Sequence, residues 1–283
     1  MTRVGSYTIE ILDTGTFALD GGAMFGVVPK VMWQNKIAAD EMNRIPLALR
    51  AMLIRGGGKT ILVDTGIGEK WSPKLLDLYH IEQTMHPLVT ALAAKNIRPE
   101  EVTDIITTHL HFDHVGGATM YDANRKLIPT LPNATLHVQR TNWEHAIDPN
   151  EKDRASYLPE NFLPIKEAGL LHLVDGETEI LPGIFVTVSN GHTIGQQTVR
   201  VGEGNDAVWY CGDLIPTSAH LPIPWVMGYD LFPMQTIDEK KVLLPIAAKE
   251  GWRLFFEHDP HTSSCTIAWT DKGPQIAERD VVE

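Results

Sequence analysis

The sequence predicts an α/β fold in which two β-sheets are sandwiched by outer helices. Short runs rich in β-branched and apolar residues fall into two series along the chain, and stretches with apolar residues at helical spacing separate and follow them. The chain has 283 residues, 43% of them hydrophobic, which is enough to bury a sizeable core.

The first series places strands near Tyr7 to Leu12, Leu49 to Arg55 and Thr60 to Val63, with Gly56-Gly57-Gly58 as the hairpin signal between the last two. Helical spacing runs from Pro73 to Ala94 through Leu75, Leu76, Leu78, Leu88, Leu92 and Ala93, and Pro87 divides it into two helices. An apolar-rich run from Val102 to Thr108 follows. The second series covers Thr135 to Val138, Leu170 to Val174, Thr178 to Leu181, Ile184 to Val188, Thr198 to Val201, Ala207 to Tyr210 and Arg253 to Phe256. Helices are expected at Thr141 to Ile147 and Asp238 to Glu250, the latter capped by Thr236 or Asp238. A Gly-rich segment from Asp20 to Gly26 and a Pro- and aromatic-rich one from Leu214 to Pro233 read as long loops. Their content of Met24, Phe25, Trp225 and Met227 makes them the expected walls of an apolar substrate pocket.

The formal net charge of −12 and scattered Lys and Arg residues argue against a nucleic-acid partner. Residues 1 to 13 carry no basic region followed by an apolar stretch, and no run of eighteen apolar residues exists, so a cytoplasmic protein without membrane contact is expected. Cys211 and Cys265 form no C-x-x-C pair and are expected to be reduced thiols, with Cys211 acting as a small buried hydrophobe.

Chemistry concentrates in His109-Leu110-His111-Phe112-Asp113-His114, directly after an expected strand. Three imidazoles and a carboxylate inside six residues crowd one ion, whereas two neighbouring ions share them. Further donors occur where later strands end: His192 in Asn190-Gly191-His192-Thr193-Ile194-Gly195, Asp213 in Tyr210-Cys211-Gly212-Asp213, and His258 in Leu254-Phe255-Phe256-Glu257-His258. Candidate ligands therefore run from residue 109 to 258, and a single domain over 1–283 is expected.

H-x-H-x-D-H, G-H-T-x-G, G-D and a late His, in that order, resemble the metallo-β-lactamase superfamily. Ile61-Leu62-Val63-Asp64-Thr65-Gly66 is similar to that family's second-strand motif, whose Asp supports the metal loop. Leu19 to Lys30, Asp213 to Thr217 and Pro224 to Asp230 resemble its quorum-quenching N-acyl-homoserine lactonases. The resemblance implies a four-layer αββα sandwich and two divalent transition-metal ions. Zinc is the expected metal, and iron, manganese, cobalt and nickel stay open, because imidazole and carboxylate donors suit all of them. It further implies that His109, His111 and His192 hold one ion and Asp113, His114 and His258 the other, with Asp213 bridging.

A bridging hydroxide would then be the nucleophile, and Asp113 would shuttle a proton to the leaving group. The implied substrate is a small lactone or ester, foremost an N-acyl-homoserine lactone. A phosphotriester, an aryl ester or a glyoxalase-type thioester on the same site is the alternative. Lactonases of this type often place a Tyr soon after the bridging Asp, and Pro216 stands three residues after Asp213 here. His220 is thus expected to assist catalysis, and Tyr157 is a further substrate-facing candidate. A homodimer is left open.

Overall fold

The computed structural model describes residues 1–281. Two compact units emerge: Met1–Thr16 with Leu49–Gly176, and Phe17–Ala48 with the chain from Glu177 onward.

The first unit contains most of a seven-stranded sheet in the order Thr2–Val4, Tyr7–Asp20, Arg44–Gly56, Lys59–Val63, Asp104–Ile106, Thr135–Gln139 and Leu171–Val174. The hairpin after Gly56 turns through Gly57 and Gly58, both at positive φ (56° and 76°), as a two-residue type I′ turn requires. From Lys59–Val63 onward the neighbours pair in parallel. Their carboxyl ends therefore lie together, and the loops that leave them can converge.

Helices Pro73–Leu78 and Pro87–Ala94 are separate, as Pro87 dictated. Ser72 caps the first by accepting from the Leu75 N–H. Leu88 and Leu92 of the second pack into a core with Leu53, Leu62, Ile105, Leu136 and Val138 from the sheet. Each such side chain, fully buried, stabilises the fold by about 1.5–3 kcal/mol.

The second unit is built on another seven-stranded sheet, in the order Thr178–Leu181, Ile184–Ser189, Gln196–Val201, Val208–Tyr210, Arg253–Phe255, Thr262–Thr270 and Gly273–Val281. Val208–Tyr210 and Arg253–Phe255 pair in parallel, linked through helix Pro233–Glu250, and the other described neighbours pair antiparallel. Leu244 and Ala247 of that helix pack on Trp209, Leu254, Phe256 and Cys265. Cys211 and Cys265 are both buried and unbridged, as expected.

The two-sheet mixed α/β class agrees with the sequence, two local expectations do not, and one hairpin lay outside them. The helix expected from Asp238 begins at Pro233, with Phe232 at its N-cap and no side-chain cap. Pro is pre-set for the first helical position, and the Thr236 hydroxyl donates instead to Asp230 Oδ2 at 2.9 Å. Asp20–Gly26 is no open loop: Asp20 Oδ1 accepts from the Ala23 N–H at 2.8 Å and starts a short helix, Gly21–Phe25. The hairpin of Thr262–Thr270 and Gly273–Val281 was not foreseen, because Thr-Ser-Ser-Cys-Thr and Gln-Ile-Ala-Glu-Arg-Asp offer little apolar alternation. Among the described residues, no helix is long and apolar enough to cross a membrane.

Candidate active site

In the first unit the motif His109 to His114 leaves the carboxyl end of strand Asp104–Ile106. Leu110 is buried in the apolar core, and its N–H donates to Asn142 Oδ1 at 3.0 Å. That anchor leaves His109 and His111 to meet edge-to-face, with ring centroids 4.4 Å apart and His109 Nε2 3.0 Å from His111 Nδ1. Phe112–Val115 then forms one helical turn carrying Asp113 and His114. All four motif side chains are buried.

Asp64 organises this loop from the end of the neighbouring strand, Lys59–Val63. It sits at φ 59°, a left-handed conformation that Asp and Asn tolerate better than other side chains. Its Oδ1 accepts from the Thr108 N–H at 2.6 Å and the Thr107 hydroxyl at 3.1 Å. Its Oδ2 accepts from the Thr108 hydroxyl at 2.7 Å and lies 3.0 Å from His114 Nδ1. An ionised carboxylate only accepts, so His114 carries its proton on Nδ1 and presents Nε2 as the lone pair. The Thr108 oxygen lies 3.1 Å from His109 Nδ1; having given its own proton to Asp64, it accepts there, which fixes the same tautomer on His109. Gly116 and Gly117 follow because Thr65 and Ile67 come so close: a Cβ at Gly117 would lie 2.2 Å from the Thr65 carbonyl oxygen.

Tyr157 packs edge-on against His111, with centroids 4.7 Å apart, and its hydroxyl accepts from Asn142 Nδ2 at 3.3 Å. It is 3% exposed, so its first visible role is to buttress His111.

The second unit presents three buried donors at the ends of its own strands. His192 follows strand Ile184–Ser189, Asp213 follows Val208–Tyr210, and His258 follows Arg253–Phe255. Asp213 lies between the two imidazoles: its Oδ2 is 3.3 Å from His192 Nε2, and its Oδ1 is 3.4 Å from His258 Nε2. The far nitrogens are held by other acceptors. His192 Nδ1 lies 3.1 Å from Asp230 Oδ1, and His258 Nδ1 donates to the Ala48 carbonyl at 2.9 Å. With Nδ1 so engaged, each ring presents Nε2 to a carboxylate oxygen, an arrangement that a cation shared between nitrogen and oxygen would satisfy. Divalent metal ions match this set of imidazoles and a shared carboxylate. Asp213 thus turns one carboxylate oxygen to each ring.

The positioning partners were only partly legible. Asp64 was singled out, and Asp230 fell inside a lactonase-like segment, whereas the contacts of Asp230 with His192, of Thr236 with Asp230 and of the Ala48 carbonyl with His258 carried no sequence signal. Asp230 stands 38 residues from His192, and Ala48 stands 210 from His258.

His220 is placed differently from the expectation that it assists catalysis. The Thr217 hydroxyl lies 2.8 Å from its Nδ1, and its Nε2 lies 2.8 Å from the Met24 carbonyl oxygen. Its ring stacks on Phe25 with centroids 4.6 Å apart, and the residue is 1% exposed. Burial pushes its pKa down to about 4. With both nitrogens engaged, His220 holds the short helix Gly21–Phe25 in place, and that positioning role replaces the expected acid–base one.

Phe25, expected to line the pocket, is sandwiched between His220 and Trp33, 5.3 Å away, and belongs to the packing of the second unit. Met24 and Met227 are also buried, while Trp225 is half-buried and meets the edge of Phe25 at 5.8 Å. The 220–225 segment is pinned by Lys240, whose ammonium donates to the carbonyls of His220, Pro222 and Trp225 at 2.6, 2.8 and 2.9 Å.

Two sheets of this topology and these His and Asp donors define a metal-dependent hydrolase of the αββα class. The metallo-beta-lactamase superfamily model matches residues 46–271, and the chain belongs to that superfamily. Among proteins of known name it is similar to the N-acyl homoserine lactonase AiiA of Bacillus thuringiensis subsp. kurstaki, at 28% identity over 220 residues that cover 73% of this chain and 80% of the relative. Among solved structures it is similar to a probable metal-dependent hydrolase from Staphylococcus aureus, with 31% identity, TM-score 0.91 and coverage of 100% of this chain and 99% of the other. It also shares its fold with AidC, a dizinc quorum-quenching lactonase with a bound product, at 20% identity, TM-score 0.80 and coverage of 99% and 97%.

Proposed function

We propose that this protein is a binuclear hydrolase that opens small lactones, N-acyl-homoserine lactones foremost. The observation that carries the proposal is Asp213 held between His192 and His258, one carboxylate oxygen to each ring. The order of the motifs and the lactonase relatives add support. His109, His111 and His192 would hold one ion, and Asp113, His114 and His258 the other, with Asp213 shared. Zinc is the proposed metal. When bound, the pair supplies a hydroxide nucleophile at neutral pH and polarises the carbonyl under attack.

The chain's own contribution is orientation and proton handling. Asp64, Thr108, Asp230 and the Ala48 carbonyl fix the far nitrogens of His114, His109, His192 and His258, so these rings need no reorganisation when metal arrives. Asp113, buried beside His114 with its Oδ2 3.8 Å from Nε2, would carry a proton to the leaving alkoxide. Tyr157 keeps His111 in its rotamer, and the half-buried Trp225 would supply apolar surface for an acyl chain.

Purified protein should be assayed against acyl-homoserine lactones of several chain lengths, an aryl ester, a phosphotriester and a glutathione thioester, with metal content measured in parallel. Lactone opening as the fastest reaction, with two ions per chain, is the expected result. A metal-loaded protein that turns over one of the other substrates and leaves lactones intact would overturn the substrate reading. Asp213→Ala should lower both ion content and rate, and retention of two ions with full activity would overturn the bridge.

A further inference from the structure

A second cluster of side chains able to bind metal lies in the first unit, and its two histidines stand on strands that carry none of the motif loop's donors. His137, in strand Thr135–Gln139, and His172, in strand Leu171–Val174, are direct partners across the parallel ladder, so their side chains leave the same face of the sheet. Their Nδ1 atoms lie 3.0 Å apart, with ring centroids at 5.0 Å. On the other side, His137 Nε2 is 3.0 Å from Asp104 Oδ1, and Asp104 Oδ2 accepts from Lys59 Nζ at 2.9 Å. His137 is 7% exposed and Asp104 is 3% exposed, while His172 opens to solvent on the edge strand.

The protonation pattern follows from the carboxylate. Burial favours the neutral acid, but hydrogen bonds from His137, Thr103 and Lys59 outweigh it and hold Asp104 well below the usual carboxylate range. An ionised Asp104 only accepts, so the His137 proton sits on Nε2 and its Nδ1 is a lone pair aimed at His172. A carboxylate on the far nitrogen of a histidine is the usual support of a metal-ligating imidazole, and it raises the ring's basicity as a ligand. Two nitrogens each about 2.0–2.1 Å from one tetrahedral ion stand roughly 3.3 Å apart. The observed 3.0 Å is therefore within a small side-chain adjustment of that spacing.

We propose that His137 and His172, with Asp104 as the orienting carboxylate, form a separate surface site for one divalent transition-metal ion. Water completes the coordination on the exposed side of His172. The two-imidazole donor set selects copper, nickel or zinc over magnesium or calcium. An ion there replaces a single N–H···N contact by two ligand bonds across strands Thr135–Gln139 and Leu171–Val174, tying the edge strand to the sheet. The site exchanges metal with solvent more readily than buried donors do, and it binds independently of the proposed catalytic ligands.

The test uses tag-free protein with its catalytic metal already loaded. Nickel binding by equilibrium dialysis should find one more ion per chain in the parent than in His172→Ala, with at least a tenfold loss of affinity at that step. Because the comparison is a difference between two loaded proteins, it stands or falls separately from the hydrolytic reading. Substoichiometric copper(II) should give an electron paramagnetic resonance spectrum with nitrogen splitting in the parent that is lost in His172→Ala and kept in a surface control, His80→Ala. Equal nickel counts in parent and His172→Ala, or nitrogen splitting unchanged by the substitution, would overturn the proposal.

Discussion

Asp64→Asn isolates what a positioning carboxylate does for this site. The substitution preserves shape and tolerates the left-handed backbone at φ 59°, so its effect is chemical. Asp64 faces four polar groups, at 2.6, 2.7, 3.0 and 3.1 Å, through two oxygens. Asn keeps one oxygen and replaces the other by NH2. Placed toward Thr108 N–H, the amide sets one buried donor against another. Placed toward His114 Nδ1, it donates to that nitrogen, drives the ring to the opposite tautomer and puts a proton on the Nε2 lone pair.

Either orientation leaves one buried group badly paired, at about 1–3 kcal/mol. Losing the support of one ligand lowers metal affinity about 10–100-fold. Urea unfolding of metal-free protein reads the first effect, chelator competition on loaded protein reads the second, and nitrogen-resolved NMR of His114 reports the tautomer. Stability within about 0.5 kcal/mol of the parent, together with unchanged metal affinity, would refute the reasoning.

Other expectations are independent of that one. Trp225→Ala should raise KM for a long-chain lactone more than for a short one, because each buried methylene is worth about 0.8 kcal/mol; an equal effect on both would assign Trp225 to packing alone. Burial pushes the Cys211 thiol far up and the Cys265 thiol up to about 12. A thiol reagent at pH 8 should therefore label neither in folded protein and both after denaturation, and rapid native labelling would contradict this. His220 titrates near 4 when folded and near 6.5 when unfolded. The unfolded chain therefore holds the extra proton between those values, and stability falls as pH drops through the window, by up to about 3 kcal/mol. His220→Gln should flatten the unfolding-versus-pH curve between pH 6.5 and 4.5, whereas an unchanged slope would place the acid sensitivity elsewhere.

The sequence by itself determined the elements whose cause is local. Pro87 splits a helical stretch because it has no N–H to donate, and Gly57-Gly58 turns a hairpin because both positions need positive φ. The four donors of His109 to His114 are legible together because six residues cannot be far apart. His192, Asp213 and His258 are legible because each stands where a strand ends. The tertiary structure alone decided what surrounds them. Asp230 reaches His192, the Ala48 carbonyl reaches His258, and the Met24 carbonyl meets His220 across 196 residues of chain. That last contact turned an expected acid–base group into a packed one. A side chain's chemistry is written in its identity, but its protonation and reach depend on which groups packing brings within 3 Å, and no local pattern encodes that neighbour.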